Sequence, residues 1–204
     1  MSANKPYIIG VTGGIGCGKT EAAAFLESLG AARVDADAIS RSLTAPGGEA
    51  LPAIRERFSD GVFAPDGTLN RAALAAIVFQ SQPERRALEG ILHPLIQKNA
   101  WHQIEAAGER GEKIVILDVP LLFETGMDVL CDETWSMTAD PETQLSRVME
   151  RGLTREQAQA RIDSQMSTDE RNGRATRVIR TDRSMDRTRA ELSGLYQQAL
   201  RRLG

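Results

Sequence analysis

Several residue types are scarce in this 204-residue chain. Aromatics make up 4% of it, and there are two cysteines and two histidines. Cys17 and Cys131 cannot build a disulfide framework, and with so few histidines they form no metal-ligand cluster. Both are expected as reduced thiols. Long apolar runs are also missing. The longest is Ala72 to Phe79, far short of the roughly 18 residues that a bilayer-spanning helix needs. The chain passes from Lys5 almost directly into Tyr7-Ile8-Ile9-Gly10-Val11, which is too short for a signal-peptide apolar region and lacks a cleavage site. A cytoplasmic protein with no membrane partner is therefore expected. Nor is there an excess of positive charge. The 25 Lys+Arg against 28 Asp+Glu leave a net charge of −3, which argues against a nucleic-acid partner held by charge.

Hydrophobic residues at 41% and charged residues at 26% are enough for one α/β domain, or for a core with an inserted lobe. The basic residues are unevenly placed. From Thr143 onward there are 13, all Arg, against 8 acidic residues. Some of these guanidinium forks are candidates for phosphate, which they can bind bidentately. The rest are solvated helix faces.

Short β-like runs alternate with helical stretches, the pattern of a parallel sheet with helical crossovers. Strands are expected at Tyr7–Val11, Ala32–Asp35, Lys113–Asp118, Glu133–Met137 and Arg177–Arg180. The run Ile114 to Leu117 fits a strand buried on both faces. Helices are expected from Lys19 to Leu29, with Gly30 at the C-terminal end, from Pro141 to Arg151, from Thr154 to Met166 and from Met185 to Leu203. Ala38 to Gly108 reads as a helix-rich lobe inserted between two strands, because an ordinary crossover is shorter. Its breaks are placed at Pro46-Gly47-Gly48, Ser59-Asp60-Gly61, Pro65-Asp66-Gly67 and Pro83, and a further break before Pro94 is one of two alternatives for the stretch around His93.

The most specific feature is Gly13-Gly14-Ile15-Gly16-Cys17-Gly18-Lys19-Thr20. It matches G-x-x-x-x-G-K-[ST] and lies between an expected strand and an expected helix, the context that motif requires. Its glycines let backbone N–H groups turn inward around phosphate oxygens, helped by the positive end of the following helix. Lys19 can reach the β- and γ-phosphates of a nucleotide, and the Thr20 hydroxyl can ligate Mg²⁺. A GTP-reading Asn-Lys-x-Asp motif is missing, since Asn4-Lys5 runs into Pro6 ahead of the loop.

Two sets of carboxylates accompany the loop. Asp35 and Asp37 end the second strand, where open α/β sheets bind ligands. Alternation along an extended chain would put both on one side, and either could instead cap the next helix. Of the two, Asp37 is favoured as the group that orients an attacking hydroxyl and accepts its proton. Asp118 closes the run Ile114 to Leu117 in the manner of a Walker-B acid that holds Mg²⁺ directly or through water. Arg147 and Arg151 share a helix face at i, i+4.

Together, Thr12 to Thr20, Val34-Asp35-Ala36-Asp37, Leu92-His93-Pro94-Leu95-Ile96 and Asp118-Val119-Pro120-Leu121-Leu122-Phe123-Glu124 resemble the dephospho-CoA kinase family. Gln144, Arg147, Arg151, Arg161-Ile162 and Gln165 add to the likeness, which runs from about residue 7 to 180. The resemblance implies a three-layer P-loop kinase fold over residues 1–204, with a parallel sheet, an inserted helical CoA-binding lobe at 38–108 and a helical lid at 141–166. It implies that ATP phosphorylates the ribose 3′-hydroxyl of dephospho-CoA, with Mg²⁺ as cofactor. By position it makes Gly13, Gly14, Ile15, Gly16, Cys17, Gly18, Lys19, Thr20 and Glu21 ATP-binding. Asp37, Lys19, Arg147 and Arg151 become catalytic, and Asp35, His93, Pro94, Leu121 and Glu124 substrate-binding, with Thr20 and Asp118 at the metal. Two departures stand out. Cys17 and Glu21 replace small hydroxyl residues. Thr176 and Thr181 stand where the family pattern Ala-Asp-x-Val-Ile-x-Asn has Asp and Asn, which leaves the role of that segment open.

Overall fold

In a computed structural model that describes residues 5–203, Tyr7–Gly13 forms the central strand, β1. The first helix, α1, spans Lys19–Ser28, and β2 spans Ala32–Asp35. Four helices follow: α2 (Ala36–Leu43), α3 (Leu51–Phe58), α4 (Arg71–Gln80) and the long α5 (Gln82–Glu109). Then come β3 (Ile114–Asp118), β4 (Glu133–Thr138), α6 (Pro141–Met149), α7 (Arg155–Asp163), α8 (Thr168–Arg174), β5 (Arg177–Arg180) and α9 (Met185–Arg202). The strands form one five-stranded sheet in the order β2-β3-β1-β4-β5. Parallel register puts Val11 opposite Asp118 on one side and Trp135 on the other. The carboxyl ends of β1 and β3 therefore open at the same level.

The chain divides into two units, 5–34 with 104–203 and 35–103. In the first, β1 and β3 are buried along both faces, which is why their sequences are continuous apolar runs rather than alternating ones. Ile9, Leu26, Ile116, Trp135, Ile179 and Leu192 belong to one core. Truncating such a residue to Ala typically costs about 2–5 kcal/mol. At the start of β4, Glu133 accepts from Trp135 Nε1 at 2.9 Å and from Arg177 Nε at 3.2 Å, and it pairs with Arg202. These bonds tie the end of α9 to the sheet.

The second unit is helical. Asp35 caps α2 by accepting from the Ala38 N–H at 2.9 Å, and Asn70 caps α4 by accepting from that of Ala73 at 3.0 Å. Ile54, Phe58, Val62 and Leu74 are its buried apolar anchors. Arg71 donates to Thr44 Oγ1 at 2.7 Å and joins α4 to the end of α2.

Three sequence expectations need correction. First, the helix does not break before Pro94, because α5 runs through it. A proline inside a helix lacks the N–H that would bond the carbonyl four residues earlier, here that of Gly90, and α5 continues past that one missing bond. Second, Asp35 and Asp37 do not alternate along one extended segment. The strand stops at Asp35 and the helix starts at Ala36, so Asp37 stands in the first turn of α2. Third, the helix expected from Thr154 to Met166 stops at Asp163, and Gln165 falls in the turn before α8. Asn4 lies outside the described residues. Among those described, no helix is long and apolar enough to cross a membrane.

Candidate phosphate-transfer site

The glycine loop joins the end of β1 to the start of α1. Gly16 (φ 79°) and Gly18 (φ 73°) both adopt the left-handed conformation, which favours glycine. A Cβ on Gly16 would also lie 2.8 Å from the Gln144 carbonyl oxygen. Gly18 is the N-cap of α1 and provides no side-chain cap, so the first N–H groups of that helix face the loop. Such groups have no partner within the helix and carry partial positive charge, which suits an anion.

Side chains from elements far along the chain hold the loop in shape. The Ile15 N–H donates to Gln165 Oε1 at 2.9 Å, and Gln144 Nε2 donates to the Ile15 carbonyl at 2.8 Å. Arg147 donates to the Gly16 carbonyl at 3.3 Å, to Thr181 Oγ1 at 3.1 Å and to the Thr181 carbonyl at 2.7 Å. Thr181 Oγ1 in turn donates to the Cys17 carbonyl at 3.0 Å. Arg171 is buried beside Gly14. Arg147 is thus committed to backbone oxygens, whereas Arg151 is exposed. Both line a groove of about 740 Å³ beside the loop, with Gly18, Phe25, Thr181 and Arg183 also on its walls. Glu21 lies on the same groove.

Asp118, at the end of β3, is 1% exposed. Lys19 contacts its Oδ1, and Arg33 on β2 donates to its Oδ2 at 2.6 Å. A buried carboxylate between two cations is compensated, whereas one left alone there would be strongly destabilising. Thr20 is exposed in the first turn of α1. Cys17 is 1% exposed, and burial pushes its thiol pKa up, so it stays protonated near neutral pH. Past Asp118, Leu121 and Glu124 are exposed while Leu122 and Phe123 are buried.

The structure brings the loop, Lys19, Asp118, Arg147 and Arg151 into the first unit. Asp37, His93 and Pro94 belong to the second, which starts at Asp35. There Asp37 is exposed, His93 half-buried within α5 and Pro94 exposed. Sequence reasoning did not single out Arg33 or Arg171, because an arginine on an edge strand and another on a short helix carry no local motif. It left Thr181 open, and the structure makes that residue a tether of the loop.

A dephospho-CoA kinase family model matches residues 7–187. A dephospho-CoA kinase of Symbiobacterium thermophilum is 46% identical over 193 residues, covering 94% of this chain and 81% of its own length. A crystal structure from Thermus thermophilus superposes with a TM-score of 0.81 at 33% identity, covering 95% of this chain and 97% of that one. A dephospho-CoA kinase from Campylobacter jejuni gives 0.71 at 27% identity, with coverages of 94% and 96%. A phosphate loop at the head of a parallel sheet, matched along nearly its full length to such relatives, places this chain in the dephospho-CoA kinase family.

Proposed function

We propose that the chain transfers the γ-phosphate of ATP to the ribose 3′-hydroxyl of dephospho-CoA, the last step in making coenzyme A. The observation that carries this reading is Lys19 of the phosphate loop resting on buried Asp118 in a chain of that family. The reaction is in-line and has no covalent enzyme intermediate. Positioning and electrostatics supply most of its acceleration.

In this reading the backbone from Gly13 to Thr20 surrounds the phosphates and Lys19 moves onto them. Asp37 orients the 3′-hydroxyl and takes its proton. Asp35 is the weaker candidate for that task because its carboxylate already caps α2 and lies 3.9 Å from Arg41. Arg147, which the resemblance makes catalytic, donates to the Gly16 and Thr181 carbonyls, so its part is to fix the loop from the groove wall. Arg151, exposed on the groove wall, meets phosphate oxygens. His93, Pro94, Leu121 and Glu124 are assigned to the acceptor. Thr20 and Asp118 offer the hydroxyl and carboxylate oxygens that Mg²⁺ takes, and a carboxylate already shared by two cations suits contact through water. When bound with ATP, the ion supplies neutralisation of charge across the β- and γ-phosphates. The protein works in the cytoplasm.

The test is coupled ADP release with ATP and Mg²⁺ over a panel of acceptors. Dephospho-CoA should turn over rapidly, while nucleosides, nucleotides and sugar alcohols should stay at background. Faster turnover of any of those three classes would overturn the assignment.

A further inference from the structure

Asp118 has two cationic partners, and only one of them belongs to the phosphate loop. Lys19 takes Oδ1. Arg33 takes Oδ2 at 2.6 Å from the neighbouring strand, and its guanidinium also lies 3.7 Å from Glu27 of α1. The Arg33 side chain is only 19% exposed and that of Asp118 only 2%, so solvent screens this pair weakly.

The arrangement poses a charge problem. A nucleotide in the loop draws Lys19 onto its phosphates. If Lys19 were the sole partner of Asp118, that move would strand a buried carboxylate wherever no Mg²⁺ stands beside it, and the carboxylate would hold Lys19 back. We propose that Arg33 is a positioning residue that compensates Asp118 when Lys19 leaves, so that the loop lysine is released to the nucleotide. Arginine suits the task, since its guanidinium stays charged and its planar fork fixes the carboxylate's orientation. The loss of Lys19 leaves the Arg33–Oδ2 bond intact and Oδ1 facing the loop. This role rests on reading the loop as a nucleotide site. It does not depend on which acceptor is phosphorylated.

The experiment measures ADP binding by calorimetry in EDTA, with neither metal nor acceptor. It compares wild type, Arg33→Leu, Arg33→Lys, Asp118→Asn and the double variant. Arg33→Leu should raise the Kd for ADP about tenfold, within the range of coupling between contacting charged groups. Arg33→Lys should recover most of that loss. In the Asp118→Asn background, where no carboxylate needs compensation, Arg33→Leu should change the Kd by less than about twofold. In turnover, Arg33→Leu should raise the KM for ATP more than it lowers kcat. If Arg33→Leu fails to fold, Arg33→Gln replaces it, with the same tenfold rise expected. Wild-type affinity in a folded neutral variant would overturn the proposal. So would an equal loss in the Asp118→Asn background, which would mean that Arg33 acts only on the local fold. Failure of wild type to bind ADP would instead overturn the nucleotide reading of the loop. Failure to phosphorylate dephospho-CoA would overturn the acceptor while leaving the ADP data interpretable.

Discussion

The two units differ in what their long-range polar side chains hold: the glycine loop in the sheet unit, and other side chains of the lobe in the helical unit, as Arg71 holds Thr44 and Lys98 holds Glu49. In the sheet unit the important bonds join residues far apart in the chain: Lys19 to Asp118, Gln165 to Ile15, Arg147 to Thr181 and Thr181 to Cys17. In the helical unit several other bonds are local. Asp35 caps α2, Asn70 caps α4 and Asp66 accepts from Thr68 two residues on. Long-range bonds to backbone groups of a glycine loop fix a phosphate cradle before any ligand arrives, and such preorganisation is what phosphoryl transfer requires. Local caps stabilise helices without fixing a distant partner. Side chains such as Asp37 and His93 are therefore placed by their own helices.

That contrast can be broken most severely at the loop. Lys19→Ala should lower kcat/KM by about a thousandfold or more, and steady-state ADP release would show it. In the helical unit, Asp37→Asn should lower kcat by about a hundredfold to ten-thousandfold. Because Asp37 is exposed in the first turn of α2, thermal unfolding should barely change. Near-normal turnover would remove Asp37 as the base, and a large fall in Tm would make it structural. A smaller effect should come from the tethers. Gln165→Ala loses one hydrogen bond to the loop, worth about 1 kcal/mol, and should raise the KM for ATP roughly fivefold. An unchanged KM would mean that the loop keeps its shape unaided.

The smallest effect concerns pH. The Arg180 guanidinium and the Asp140 N–H hold the Asp182 carboxyl down at about 2. A carboxyl lowered on folding stabilises the folded state above its unfolded value near 4, and that stabilisation fades as pH falls toward 2. Asp182→Asn should therefore lower the Tm by a few degrees at pH 7. The gap from wild type should narrow between pH 4 and pH 2. A gap independent of pH would assign the loss to packing.

Much of this was legible in the sequence, for identifiable reasons. The phosphate loop announces itself because its backbone geometry demands glycines at fixed spacing, and Ile114 to Leu117 because a strand covered on both faces must be apolar throughout. Arg33, Arg171 and the tethering by Thr181 were not legible. Their roles depend on which strands and helices become neighbours, and no local pattern encodes that. Pro94 lies where the local pattern points the wrong way, because proline removes one backbone hydrogen bond and the 28-residue α5 continues past it. Asp37 follows β2 in the sequence, but it stands on a helix rather than on an extended segment, because the strand stops at Asp35.

Delivery of phosphate from this loop to one ribose hydroxyl can be followed at the product itself. The most direct measurement is mass spectrometry with ³¹P NMR on dephospho-CoA incubated with the protein, ATP and Mg²⁺, run alongside a 3′-deoxy analogue. One phosphate should be added, located at the 3′ oxygen, and the analogue should not react. Phosphorylation of the analogue, or ADP formation with dephospho-CoA left unmodified, would contradict that transfer.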